Sequence, residues 1–111
     1  MQVQAVEARC LLALGQREAA RQLATEVWAY LCEHGTDGID YPSRVYVCVA
    51  DVFGAIETPG VSAREVIKAG YRDLMQRAAK ISDADWRRSF LENAAENRAI
   101  VERWESRSDS N

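Results

Sequence analysis

Val45-Tyr46-Val47-Cys48-Val49-Ala50-Asp51-Val52-Phe53-Gly54-Ala55-Ile56 carries one charge in its whole length. Its β-branched residues suit a strand, but the chain holds no second run of this kind to pair with it. A lone strand leaves its backbone polar groups unsatisfied, and even a two-stranded hairpin is marginal in water. The segments on both sides repeat their apolar residues at helical steps. The run is therefore read as a buried helix packed on more than one side. Asp51 is the exception within it. A carboxylate there needs either a groove open to water or a partner.

Beyond the run, Thr58-Pro59-Gly60 is a breaker, and Ser62 with Glu65 three residues later is a capping box. The helix it opens carries Val66, Ile67, Gly70, Tyr71, Leu74, Met75, Ala78 and Ile81 at steps of three and four. Ser82 or Asp83 caps the next helix, with Trp86, Phe90 and Leu91 expected to face inward. Glu92 to Ala95 allows continuation, a kink or a restart. Ile100, Val101 and Trp104 form the apolar side of the last segment, and residues 106–111 are expected to fray as a polar tail.

On the N-terminal side, Pro42 suits a first helical turn, and His34 to Asp40 is a loop rich in glycine and aspartate. A helix from about Arg17 to Glu33 presents Ala20, Leu23, Ala24, Val27 and Leu31, with Trp28 on its flank. Before it, Val3, Val6, Cys10, Leu11 and Leu14 mark another, stopped by Gly15. So short a connection forces an antiparallel hairpin. The expected fold is all-α, with five to six helices in stacked antiparallel hairpins. These span about 3–33 and 42–81, and a terminal helical cap spans about 83–105. Residues 1–105 then form one domain.

With 111 residues, 48% hydrophobic and 28% charged, the composition is that of an ordinary globular chain. A net charge of -3 gives no global field for phosphate backbones, which argues against direct nucleic-acid binding. No apolar stretch reaches the roughly 18–20 residues of a membrane span, and the first residues lack signal-peptide features, so the expected compartment is the cytoplasm. Cys10, Cys32 and Cys48 fit no metal or redox spacing and are read as small buried hydrophobes. Cys48 or Cys32 with His34 lacks a readable orienting group or oxyanion feature, so no catalytic residue, cofactor or metal is expected. Arg87, Arg88, Arg98, Arg103 and Arg107 are interleaved with acids, the pattern of a mixed, salt-bridged surface.

Ala8, Leu11, Gly15 and Ala20 carry the small–large–turn–small spacing of a tetratricopeptide hairpin, and Ala50 and Phe53 repeat its first half about forty residues on. Ala69-Gly70-Tyr71-Arg72-Asp73-Leu74-Met75, Ile81-Ser82-Asp83, Trp86 to Asn93 and Glu96-Asn97-Arg98 resemble the C-terminal end of the tetratricopeptide region of large multidomain bacterial regulatory and signalling proteins. That family often has proline where this chain has Ala95. The resemblance implies a noncatalytic protein-interaction scaffold within a longer regulator, whose partner is a protein, a peptide or a flanking domain. In a tetratricopeptide register, Arg9 and Asp51 occupy equivalent positions of a partner-binding groove, with Arg44 earlier on the same helix as Asp51. Plain solvation of these charges is the competing reading. A truncated stack would expose an apolar face on the first helix and self-associate, giving a homodimer. The alternative function is a standalone ligand-binding or sensor bundle, with an internal pocket lined by Tyr30, Cys48, Phe53 and Tyr71.

Overall fold

The computed structural model describes residues 2–36, 39 and 41–109; of these, the side chains of 2 and 107–109 are not described. It consists of six helices: α1 (Gln2–Ala13), α2 (Arg17–His34), α3 (Pro42–Ala55), α4 (Ala63–Ala79), α5 (Ala84–Glu92) and α6 (Ala95–Asp109). Among the described residues there is no strand beyond an isolated bridge between Thr58 and Val61. No helix there is long and apolar enough to cross a membrane. The run 45–56 is helical, and Val45, Cys48, Val49 and Val52 within it are wholly buried. It is apolar on most sides because α1, α2, α4 and α6 all pack against it.

Each helix boundary has a local cause. Gly15 adopts φ +80°, its N–H donates to Leu12 O at 3.0 Å, and Gln16 N–H donates to Leu11 O at 2.9 Å. This paired arrangement closes α1 and turns the chain straight into α2. Pro42 is the first residue of α3. Ser62 Oγ accepts the Glu65 N–H at 3.3 Å, and Asp83, not Ser82, caps α5 by accepting the Trp86 N–H at 3.0 Å. The chain restarts after Asn93, and α6 opens on Ala95, a first-turn position that suits proline equally well. Helix α6 continues to Asp109, beyond the expected end of the domain at 105. Within the predicted 34–40 loop, Asp37, Gly38 and Asp40 lie outside the described residues, as do Ser110 and Asn111 of the tail.

Helices α1 and α2 pair, α3 and α4 pair, and α3 lies on α1. The expected inner face of α1 is rotated. Ala5 and Ala8 are fully buried, whereas Val3 is 76% and Leu14 73% exposed, and Cys10 is exposed too. Alanines allow α2 and α3 to approach closely, so those small residues take the interior side. Val6 and Leu11 still pack on the core in part, while Val3 and Leu14 are left exposed on the flank. Cys32 is likewise exposed, which corrects the reading of three buried thiols; only Cys48 is buried. Trp86 does not face inward either, at 75% exposure. Helix α5 is short and has no fully buried residue; Phe90 and Leu91 pack on the core only in part.

Helix α6 packs on α5 and reaches past it to α3 and α4, inserting the fully buried Ile100. Gly70 of α4 makes that insertion fit. A Cβ there would stand 2.9 Å from Tyr46 Cγ and 3.1 Å from Ile100 Cδ1. Both neighbours are held by their own helices, so neither moves freely. Gly70→Ala should lower unfolding stability by about 1–3 kcal/mol through overpacking, measured by urea denaturation. Gly15→Ala should cost about 1–2 kcal/mol for a different reason, the positive φ, with no loss of helix content by circular dichroism.

Candidate functional site

The predicted groove residues do meet, but in ion pairs. Asp51 on α3 receives Arg9 of α1 at 3.5 Å and Arg103 of α6 at 2.8 Å, one guanidinium on each carboxylate oxygen. Arg44 does not reach them. Its Nε and Nη2 donate to Glu96 Oε1 of α6 at 3.0 and 2.9 Å. Arg44 and Asp51 on α3 face Glu96 and Arg103 on α6 with one sequence offset of 52, so the two helices run parallel. Glu96 and Arg103 on α6 repeat the spacing of Arg44 and Asp51 on α3 with the signs reversed. Packing of the terminal helices against α3 does not by itself single out Glu96 and Arg103, which the sequence pattern places in a mixed, salt-bridged surface. The matched seven-residue spacing of opposite charges was the available signal.

The guanidinium of Arg44 holds the Glu96 carboxyl below its usual range. Coulomb attraction between such partly exposed groups is modest, since water and salt screen it.

A second polar cluster lies further toward the N-terminal end of α3. Ser43 is 3% and Asn97 7% exposed. Ser43 Oγ donates to Asn97 Oδ1 and accepts from Arg77 Nη2 at 3.1 Å, while Asn97 Nδ2 donates to Phe90 O at 2.9 Å. Arg77 Nε also reaches Asp73 Oδ2 at 2.9 Å, and Thr36 donates to the other oxygen of Asp73 at 2.7 Å. Each buried polar group here has a partner, as burial requires. Beside this cluster, Tyr46 is pushed up to about 12, first by burial and then by Asp73. Its neutral form is the one the fold favours, so its contribution to stability is lost as pH rises from the ordinary tyrosine value through about 12.

The remaining candidates are dispersed. Arg87 is no part of a basic patch: its Nε and Nη2 donate to Ala78 O and Ile81 O, closing the end of α4. Arg98 pairs with Glu102 at 3.4 Å, and the side chain of Arg107 lies outside the described residues. Burial pushes the Cys48 thiol up, away from a reactive thiolate. His34 is at the exposed end of α2 against the Tyr30 ring, 4.6 Å between centroids. No cluster of three or more His, Cys, Asp or Glu residues suited to a metal occurs among the described residues. Of the four residues expected around an internal pocket, Cys48 and Phe53 are buried in the core, and Tyr71 stacks on Trp104 at 5.3 Å.

The larger cleft lies beside Asp51, between α3, α4 and α6, with a volume of about 630 Å³. A smaller one of about 330 Å³ opens beside the Ser43–Asn97 pair, with Tyr41 and Phe90 on its walls. No protein-family model, no curated protein and no solved structure matches this chain.

The Glu96 shift fixes the sign of an acid effect. Because the folded carboxyl titrates below its ordinary value, the Arg44 contact stabilises the fold fully above that value. The contribution fades as pH falls through the folded value. Arg44→Gln should raise the Glu96 titration followed by carbon-detected NMR. It should also flatten the decline of stability between about pH 5 and pH 3. An unchanged titration would show that Arg44 does not hold Glu96.

Proposed function

We propose that this chain is a noncatalytic protein-interaction module of tetratricopeptide-like helix hairpins, part of a larger bacterial signalling or transcriptional regulator. One observation carries the reading. Arg9 meets Asp51 across a sequence offset of 42, the same offset that relates Ala8 to Ala50 and Leu11 to Phe53. Carried along α1, this offset maps Val3, Val6, Cys10 and Leu14 onto Val45, Cys48, Val52 and Ile56. The second set is buried, while Val3, Cys10 and Leu14 of the first are exposed. Helix α3 lies on α1 and α2, and Cys48 is wholly buried. The exposed stripe of α1 thus repeats the surface with which α3 packs on the preceding helix pair.

Helix α6 supports the same reading from the other end. Its outward residues Arg98, Glu102 and Glu105 are exposed and charged, as expected of a capping element in a stack. One end is sealed with charge and the other offers apolar side chains to a further helical unit. Contiguous exposed apolar surface of this kind marks an interaction site. The tetratricopeptide-like sequence pattern agrees with it, although the second half of that pattern does not recur cleanly.

Sedimentation equilibrium over a concentration series tests the proposal. The wild type should show a mass that rises with concentration, and Val3→Glu with Leu14→Glu should return it to the monomer with helix content intact. A wild type that stays monomeric at every concentration overturns the stacking face.

A further inference from the structure

We infer that the cleft between α3, α4 and α6 is a docking site for a short acidic peptide, taking an aliphatic side chain on its floor and an adjacent carboxylate on Arg64 and Arg103. The inference rests on the interaction-module reading but uses a different surface from the α1 stripe.

The floor is made of Ala50, Gly54, Ala63 and Ile67. Three of these four residues have a methyl group or less, which leaves the cleft its volume of about 630 Å³. That lies within the roughly 300–1,000 Å³ of ordinary ligand sites. Gly54 is the telling position, because nothing forces glycine there. A Cβ would meet only Ala63 Cβ, at 3.7 Å, an ordinary contact. Its φ is not in the left-handed region. Glycine inside a helix costs about 0.5–1 kcal/mol against alanine, and here it yields neither close helix packing nor a turn. What it does yield is depth in the cleft.

The rim supplies the charge. Arg64 and Arg103 line the cleft with Asp51, Arg9 shares the Asp51 carboxylate, and Arg17 Nη2 donates to Ala55 O on the wall at 2.9 Å. Two guanidinium groups, Arg64 and Arg103, therefore line the cleft against one carboxylate, with Arg9 and Arg17 bonded to its edge, on a chain whose net charge is -3. Arg64 has no ion-pair or hydrogen-bond partner among the described residues. It sits in the first turn of α4, where the helix end also favours negative charge. Guanidinium groups bind carboxylates through paired hydrogen bonds, which fixes the ligand's orientation as well as its sign. A long polyanion is disfavoured by the acidic remainder of the chain. A local carboxylate beside an aliphatic group fits both halves of the site.

The test is selection from a random heptapeptide display library on the full chain. Enriched peptides should carry Asp or Glu next to Leu, Ile or Val. A synthetic peptide of the selected sequence should lose at least tenfold in affinity with Arg64→Glu, and its binding should weaken with added salt. Gly54→Leu, which the backbone accepts, should fill the floor and abolish binding while circular dichroism stays unchanged. Enrichment of basic peptides, no enrichment at all, or selected peptides indifferent to Gly54→Leu overturns the assignment. Because Val3→Glu with Leu14→Glu leaves this cleft untouched, the two surfaces succeed or fail separately. Self-association without peptide selection removes this site and keeps the module.

Discussion

The absence of a side chain at Gly70 is the constraint on which the arrangement of this protein depends. At that point α4 comes close enough to α3 for a single Cβ to collide with Tyr46, and Ile100 of α6 fills the space alongside. Packing of this kind tolerates no added methylene without displacement of a helix. Once the three helices meet there, the rest follows. Helix α6 must lie parallel to α3, which brings Glu96 to Arg44 and Arg103 to Asp51. The cleft beside Asp51 exists because α4 and α6 flank the C-terminal half of α3 at the separation that this contact sets.

The polar cluster around Ser43 plays a complementary role. Hydrophobic contact fixes how deeply α6 inserts, but it is tolerant of sliding along the axis. Asn97 has one acceptor bonded to Ser43 and a donor bonded to Phe90 O, so only one axial position satisfies both. Arg77 and Asp73 then connect the same cluster to α4 and to Thr36. Leaving any of these groups unpaired in the interior costs about 1–3 kcal/mol, so the cluster acts as a register mark for α6.

Much of this was readable from residues alone, for identifiable reasons. Helical period, the Gly15 stop, Pro42, the Ser62 cap and the restart region near Ala95 are local signals, and local signals gave six helices in nearly the right places. The faces of α2 and α4 match the expected residues, and what failed was part of the assignment in α1 and α5. In α1 the pattern points to Val3, Cys10 and Leu14 as well as Val6 and Leu11, yet Ala5 and Ala8 are the residues fully buried, with Val6 and Leu11 packed beside them. Hydrophobicity favours the larger side chain, whereas close helix approach favours the smaller. Trp86 misled in the same way. For the candidate site, pairing Arg9 with Asp51 was accessible through the repeat offset. Arg103 and Glu96 were not, because their partners depend on where α6 lies along α3, a fact of tertiary geometry, and Arg64 gave no signal beyond being a charged residue of a helix start. Glu96 and Arg103, matched in spacing and opposite in sign to Arg44 and Asp51, are the trace of that placement in the chain.

The reach of α6 past α5 gives α5 an unusual standing. It contributes no fully buried residue, and its firm attachments are the Arg87 bonds to the end of α4 and the Phe90 carbonyl held by Asn97. The core is filled by the other helices, with α5 packed on its edge through Phe90 and Leu91. Helix α5 therefore serves as a spacer whose length and outer sequence are free to drift, and the stack can change its outward surface there without rebuilding its interior.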